Sequence, residues 1–252
     1  MRMKLLAAAL TAAAATLTFT TSAQASHSWG GYHWARTSNP FTLQLGDNLS
    51  SGWKSYLSTA SSDWSSSSVL DTTIVTGQSN NSCRATSGRV EVCNRTYGNN
   101  GWLGLASISL SSGTHISSGT VKVNDTYFNT STYNTPSWRT MVMCQEVGHT
   151  FGLDHQDTNQ TNANLGTCMD YTNNPDGPLS NLHPNSHDYD ELSTIYSHLD
   201  STSTVGQSAA VPTVGNSKAS WGKRVAHSSH GDTFVRDFGK GDKVITFVIW
   251  AS

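Results

Sequence analysis

The residues whose types and spacing best suit catalysis or metal binding lie between positions 145 and 155. Gln145 and His149 are four residues apart, a spacing that puts both side chains on one face of a helix, with Glu146 beside them. Gly152 is typical of a residue that ends a helix in a left-handed turn, which brings His155 back toward the same space. Imidazole nitrogens are common zinc ligands, and a neighbouring carboxylate can act as a general base. The spacing therefore indicates a metal centre with acid–base chemistry beside it.

This pattern resembles HExxHxxGxxH, the zinc motif of the metzincin metalloproteases, with Gln145 at the position of the first His. A second match is Cys168-Met169-Asp170-Tyr171, in the region where metzincins place the methionine of the Met-turn below the metal. The resemblance implies that role for Met169. It also implies that Tyr171 approaches the zinc and stabilises the tetrahedral intermediate, as in the astacin and serralysin branches. The size and the order of elements look more like matrixins, so the branch stays open.

The resemblance covers roughly residues 32 to 200 and implies a mechanism. One catalytic zinc ion on His149, His155 and, more weakly, Gln145 would activate a water, with Glu146 as general base for attack on a peptide carbonyl. An amide oxygen is a poorer zinc donor than an imidazole, so we expect weakened metal affinity. The expected partners are protein or peptide substrates, lying along an edge strand between Val121 and Phe128.

Three functions compete. A secreted zinc metalloendopeptidase is the main prediction. The substitution at Gln145 favours, as the alternative, a pseudoprotease of the same fold that binds protein or peptide without cleavage. The polar surface and the C-terminal strand patterns favour a third function, a wall-associated adhesion protein. Metal content and the effect of Glu146→Ala on turnover separate the first two.

Four cysteines in an exported chain predict two disulfides among three possible pairings. The segment from Cys83 to Cys93 contains a turn glycine and an alternating strand pattern, which favours a bridge across a local hairpin. For Cys144 and Cys168 the resemblance implies a bridge, because metzincins pack the active-site helix over the Met-turn. The alternative is that Cys144 replaces the missing His as a thiolate ligand. A one-residue step turns its side chain about 100° away from the face of His149, which disfavours that alternative.

The elements that must position these residues change in type along the chain. Residue periodicity predicts a strand broken at Asn39-Pro40, a helix, several short strands, a helix that begins at Thr135-Pro136, an irregular region, a last helix and a C-terminal hairpin. The predicted spans are Tyr32–Leu45, Asn48–Trp64, Val69–Thr76, Arg89–Cys93, Trp102–Leu110, Val121–Phe128, Ser186–Leu199, Thr233–Phe238 and Val244–Trp250. The fold class is α+β. The resemblance implies a metzincin-like domain with a mixed twisted sheet, an active-site helix, a Met-turn and a C-terminal helix, with a small β extension after it.

Composition and the N-terminus indicate the compartment and the domain limits. The chain has 252 residues, 15 Lys+Arg against 17 Asp+Glu and no basic block, which argues against nucleic acid as a partner. Residues 1–25 have a basic start, an apolar run too short to span a membrane and the site Ala23-Gln24-Ala25, which predict a signal peptide; an N-terminal anchor is the alternative. The expected divisions are a catalytic domain at 26–200, a Ser/Thr/Gly-rich linker at 201–217 and a β segment at 218–252. We expect a secreted, extracellular monomer.

Other titratable residues receive no catalytic role. Six histidines have no ligand spacing: His27, His33, His115, His198, His227 and His230. His183 and His187 are predicted to be solvated loop residues; the alternative is that one of them replaces the missing zinc ligand. Asp125, Asp154 and Asp157 lie in predicted loops, where matrixins carry structural calcium, but no full calcium-ligand pattern supports that ion here. There is no room for a propeptide between Ala25 and Tyr32, so we expect any latency to come from elsewhere, with weak metal affinity as one candidate.

Overall fold

The computed structural model describes residues 26–78, 82–111 and 113–251, and the predicted signal peptide at 1–25 lies outside them. Nine strands and five helices are assigned within the described ranges. In chain order they are β1 (His33–Trp34), β2 (Phe41–Asn48), α1 (Ser51–Trp64), β3 (Leu70–Thr76), β4 (Val90–Arg95), β5 (Trp102–Ser111), β6 (His115–Asn124), α2 (Asp125–Phe128), α3 (Pro136–His149), α4 (Ser186–Ile195), α5 (Lys218–Trp221), β7 (Lys223–His227), β8 (Gly231–Gly239) and β9 (Asp242–Trp250).

Strand β2 shows how the sequence pattern becomes structure. Phe41, Leu43 and Leu45 are buried, and the side chains between them are exposed. This two-residue period buries one face of a strand against the core. A cis peptide bond at Asn39-Pro40 precedes β2, at the interruption that the sequence predicts.

The strands form one mixed sheet in the order β3-β2-β4-β6-β5-β9-β8-β7, and β1 pairs with the first residues of β6. Strands β3, β2, β4 and β6 are parallel, whereas the pairings from β6 through β5, β9 and β8 to β7 are antiparallel. The mixed sheet with its few helices confirms the α+β class.

Two predictions about strands are wrong: the edge strand at Val121–Phe128, and the local hairpin bridged by Cys83 and Cys93. Strand β6 begins at His115, well before Val121, and Asp125–Phe128 is the short helix α2. Because β6 lies between β4 and β5, it is not an edge strand, and its backbone groups are already paired on both sides. Strand β4 pairs in parallel with β2 and β6, so the Cys83–Cys93 bridge does not close a hairpin.

Both predicted disulfides are present. Cys83 is bonded to Cys93, and Cys144 is bonded to Cys168. The thiolate-ligand alternative for Cys144 is therefore wrong. The second bridge joins helix α3 to the irregular region after it.

Helices α1 and α3 contact each other, and α3 also contacts β5 and β6. The indole of Trp64 at the end of α1 donates a hydrogen bond to the Cys144 carbonyl at 3.1 Å. Helix α3 begins as predicted, because the Thr135 hydroxyl accepts a bond from the backbone of Trp138 at 3.2 Å and Pro136 occupies the first turn. Helix α4 ends at Ile195, short of the predicted end.

The C-terminal strands continue the main sheet. Strands β8 and β9 form the predicted hairpin, and β9 runs antiparallel along β5. The segment at 201–217 lies on the sheet, where Lys122 donates to the Asn216 side chain at 2.7 Å and Ser109 donates to the Pro212 carbonyl at 2.8 Å. No helix in the described residues has the length and apolarity needed to cross a bilayer.

Candidate metal centre

The turn after helix α3 brings two histidines together. Helix α3 ends at His149, and Gly152 follows in the left-handed region with a φ of 95°. A Cβ atom at Gly152 would lie 2.0 Å from the Tyr32 carbonyl oxygen, so only glycine fits this turn. The chain then reverses and returns His155 to the end of α3.

The two imidazoles face each other through their Nε2 atoms, which lie 3.2 Å apart. The other nitrogen of each ring has its own partner. His149 Nδ1 donates to the Leu153 carbonyl at 2.8 Å, and His155 Nδ1 lies 3.4 Å from a carboxylate oxygen of Asp154. In neutral rings that donate through Nδ1, both Nε2 atoms present lone pairs. Burial lowers the pKa of both histidines, which favours neutral rings. A cation between the two Nε2 atoms would relieve their repulsion.

Gln145 offers a third donor. Its Nε2 donates to the Cys168 carbonyl at 2.7 Å, which fixes the orientation of the amide. Its Oε1 is buried and has no hydrogen-bond partner among the described residues. An unsatisfied buried carbonyl oxygen is costly, and a metal ion would satisfy it.

Glu146 is fully buried beside this group. Neither carboxylate oxygen has a hydrogen-bond partner in the described part of the chain, and burial raises the pKa of this carboxyl well above its usual range. Strand β5 approaches it closely, since a Cβ at Gly104 would lie 2.5 Å from Glu146 Oε1. A carboxyl group in this setting can accept and release a proton.

Met169 and Tyr171 complete the group that the sequence predicts. A Cβ at Gly148 would lie 2.8 Å from the Met169 sulfur, so the thioether packs directly against helix α3. The rings of Tyr171 and His155 are 4.2 Å apart between centroids. Ser228 in the C-terminal segment lies near the Tyr171 hydroxyl, and burial raises the pKa of that hydroxyl well above its usual range.

This donor set fits a zinc ion. Two imidazole nitrogens face each other at the end of α3, and the unpartnered oxygens of Gln145 and Glu146 belong to the C-terminal part of the same helix. Zinc accepts nitrogen and oxygen ligands, and three protein ligands leave a fourth position for water or substrate. The structure thus brings His149, His155 and Tyr171 into contact and packs Met169 against helix α3.

The C-terminal hairpin covers this centre. The ring centroid of Phe247, on β9, lies 4.1 Å from that of His149 and 4.3 Å from that of His155. At the start of β8, a Cβ on Gly231 would lie 1.6 Å from the Tyr171 hydroxyl. His155 is 6% exposed and Tyr171 is 2% exposed, so solvent hardly reaches the site in this state.

Sequence reasoning missed the two aromatic residues that enclose the histidines. Trp29 lies 5.9 Å from His149 between ring centroids, and Phe247 packs against both imidazoles with its ring tilted. The alternation along 244–250 predicts a strand with a buried face, but it does not say which strand becomes its neighbour. The pairing of β9 with β5 supplies that information.

The remaining titratable residues have other roles. Asp125 accepts from the Trp53 indole at 2.8 Å, and Asp157 accepts from the backbone of Asn159 at 2.9 Å. These hydrogen bonds, with the Asp154–His155 contact above, account for the three aspartates considered for calcium.

The histidines before α4 differ from each other. His183 is half exposed and pairs with Asp63 at 2.7 Å, as a loop residue would. His187 is buried and stacks on His27 with 4.8 Å between ring centroids, so its prediction as a solvated residue is wrong. The first turn of α4 buries it because the N-terminal residues pack there.

Comparison with known proteins adds little. No protein-family model matches the chain, and no curated protein sequence matches it. Among solved structures, high choriolytic enzyme 1, a hatching-enzyme zinc-protease from the medaka fish Oryzias latipes, is similar over 66% of this chain and 94% of that chain, with 11% identity and a TM-score of 0.35. At that TM-score the likeness carries no argument about fold or function.

Proposed function

We propose that the chain is a zinc metalloendopeptidase of metzincin type. One observation carries the proposal: two buried imidazoles point their Nε2 atoms at each other at 3.2 Å, next to a buried carboxyl group without a hydrogen-bond partner in the described residues. His149, His155 and the Gln145 oxygen would hold the ion. Size and element order favour the matrixin branch, whereas Tyr171 favours the astacin branch.

In this proposal each residue has a separate task. A bound zinc ion supplies Lewis acidity, which makes a water more acidic and polarises a carbonyl. Glu146 takes the proton from the attacking water at a carboxylate oxygen and then delivers it to the leaving amine. The Tyr171 hydroxyl donates to the developing oxyanion once it is free of the C-terminal segment.

Hydrolysis also requires that the hairpin move. Phe247 occupies the space over both histidines, and β9 takes the hydrogen-bonding edge of β5. An extended peptide would bind β5 in the same antiparallel manner as β9 does. The covered state is therefore a latent one in this proposal.

The proposal includes an extracellular enzyme that acts as a monomer on protein or peptide. The two disulfides support an oxidising compartment. The predicted signal peptide and the small net charge of −2 agree with an exported protein that binds neither nucleic acid nor an anionic surface.

The test is the activity of Glu146→Gln on an unfolded protein substrate, with zinc content measured in the same preparation. We expect hydrolysis to fall about 10²-fold or more, because the general base is lost, while zinc content is unchanged. His183→Ala, which changes an exposed histidine outside the site, is the control and should retain activity. Equal activity in Glu146→Gln and the wild type would refute the proposed mechanism.

A pseudoprotease is the second candidate, and Gln145 together with the covered site favours it. In that case the chain would bind peptide without turnover. Zinc analysis of the wild type beside His149→Ala and His155→Ala separates the candidates at the metal. An absence of zinc after incubation with excess metal would favour the pseudoprotease.

A further inference from the structure

A second group of histidines lies outside the candidate metal centre. His33 on β1, His115 at the start of β6 and His198 after α4 surround the carboxylate of Asp200. The sequence gives no hint of this group, because its members are far apart in the chain. They meet because β1 pairs with β6, at His33 and His115, and because the end of α4 packs beside that pair.

The donor atoms of His33, His198 and Asp200 have the spacing of one face of a tetrahedral site. His33 Nε2 lies 3.2 Å from His198 Nε2, and Asp200 Oδ1 lies 3.5 Å from His33 Nε2 and 3.8 Å from His198 Nε2. Ligands about 2.0–2.1 Å from a tetrahedral zinc ion are about 3.3 Å from one another. His115 Nε2 contacts the Asp200 oxygen at 3.2 Å from outside this group of three.

The orientation of the rings supports a cation between these atoms. His33 Nδ1 donates to the Gly31 carbonyl at 2.9 Å, so a neutral His33 presents the lone pair of Nε2 to Asp200 and His198. A cation placed between these atoms would stabilise a lone pair that faces a carboxylate oxygen and another ring nitrogen. The same arrangement, with Nδ1 held by a carbonyl, occurs at His149 in the candidate metal centre. A hydrogen bond from the second ring nitrogen to a carbonyl is typical of metal-bound histidine.

Arg36 fixes the carboxylate that would serve as the third ligand. Its Nη1 lies 2.9 Å from Asp200 Oδ2, and its backbone nitrogen donates to the same oxygen at 3.2 Å. These bonds leave Oδ1 directed at the imidazoles. Arg36 is 2% exposed and is itself held by the Tyr196 carbonyl at 2.9 Å, so the carboxylate has a rigid support.

We propose that His33, His198 and Asp200 form a second site for a divalent transition metal, zinc being the ion that this donor set favours. Three protein ligands leave a fourth position for water. His198 is 50% exposed, which gives an ion a path from solvent. The ion would join β1 to the chain segment that leaves α4, and His115 on β6 would contact the same carboxylate oxygen.

The test is zinc stoichiometry of the mature secreted protein, purified without a histidine tag, stripped with a chelator and reloaded with Zn²⁺. We expect His33→Ala and His198→Ala each to lose one zinc ion per chain relative to the wild type. The matched control is His183→Ala, which removes an exposed histidine paired with a single carboxylate, Asp63. It should retain the wild-type stoichiometry.

Comparison with His149→Ala distinguishes the two sites. If His33→Ala and His149→Ala each lose a different ion, both sites bind zinc. If the wild type holds one ion that His33→Ala loses and His149→Ala retains, the second site stands and the first fails. Equal zinc content in His33→Ala, His198→Ala and the wild type would overturn this inference.

Misfolding of a variant would not hide the result. Because His198 is half exposed, His198→Ala removes little buried structure. We expect saturating Zn²⁺ to raise the melting temperature of His149→Ala, which keeps only the second site, and to leave that of the His149→Ala/His198→Ala double variant unchanged. An equal rise in both proteins would contradict a site at His198.

Discussion

At the scale of single residues, the candidate centre depends on Gln145. Its amide is held by the Cys168 carbonyl, and its oxygen has no partner in the described residues. An imidazole at this position would supply a stronger zinc donor from the same face of α3.

We expect Gln145→His to bind zinc at least about tenfold more tightly than the wild type, since imidazole nitrogen is the better ligand. Competition with a fluorescent zinc chelator measures the affinity. Ala163→His, which adds an imidazole at an exposed position in the loop after the centre, is the control. Equal affinity in the wild type and Gln145→His would show that weak metal binding is not the restraint on this site.

A second residue couples stability to pH. Lys122 on β6 is 6% exposed, and burial lowers its pKa to about 8 from 10.5. Below pH 8 the folded and unfolded chains both carry the charge, so the cost of burying it is fully present. Between pH 8 and 10.5 the folded chain releases the proton first, and the free energy of unfolding therefore rises with pH.

We expect the wild type to gain roughly 2 kcal/mol relative to Lys122→Met between about pH 7.5 and about pH 9.5. Urea unfolding at a series of pH values measures the difference. Subtracting the variant removes the contribution of the other titrating groups, which both proteins share. Parallel pH profiles in the two proteins would contradict the lowered pKa.

The residues of the candidate centre could be predicted because their spacing is local. Helix geometry relates Gln145 to His149, and one glycine turn adds His155. The second histidine group could not be predicted, since strand pairing and the position of α4 bring His33 and His198 together. Neither is encoded in a short motif.

At the scale of elements, the turn that ends α3 determines where the second imidazole lies. Gly98 and Gly152 have nearly the same φ, 93° and 95°. A Cβ at Gly98 would meet nothing within 4 Å, whereas one at Gly152 would meet the Tyr32 carbonyl oxygen. Comparing alanine substitutions at these two glycines therefore separates the cost of the backbone conformation from the cost of the steric contact.

We expect Gly98→Ala to cost about 1–2 kcal/mol of stability from the left-handed conformation alone. Gly152→Ala should cost clearly more and should also lose zinc, because the turn must shift and move His155. Chemical denaturation and zinc analysis of the two variants provide the comparison. Equal losses in stability would mean that the Tyr32 contact is easily relieved.

Strands and helices could be predicted from the sequence where the local residue pattern matches the burial of each side chain in the folded protein. The alternation in β2 and the Thr135-Pro136 start of α3 both have local causes. The first half of β6 has small polar residues, a composition that predicts a loop. In the structure it is a buried strand with a paired strand on each side. Its neighbours, rather than its own composition, make it a strand.

At the scale of the whole molecule, the C-terminal hairpin and the candidate centre share one surface. Strand β9 continues the sheet next to β5 and places Phe247 on both histidines. The sequence predicts the hairpin but not its position, because an antiparallel pairing across a long connection leaves no local signal.

We expect Phe247→Ala to accelerate the loss of zinc to a chelator, since it removes the ring that covers His149 and His155. Ile245→Ala is the matched control, because Ile245 is a fully buried residue of the same strand face that has no ring contact with the histidines. Stopped-flow chelation measures both rates. Equal acceleration in the two variants would indicate general loosening of β9 rather than removal of a cover.

The segment at 201–217 has one further consequence for the latent state. It begins beside Asp200 and ends just before α5, so a hairpin that detaches stays covalently joined to residues 26–200. Once its hydrogen bonds to Ser109 and Lys122 are broken, a flexible chain of this length has a root-mean-square reach of roughly 20–25 Å, which corresponds to an effective concentration in the millimolar range. Opening would then be unimolecular, and dilution alone could not uncover the two histidines. A single proteolytic cut in this segment would make re-covering bimolecular and allow the hairpin to diffuse away.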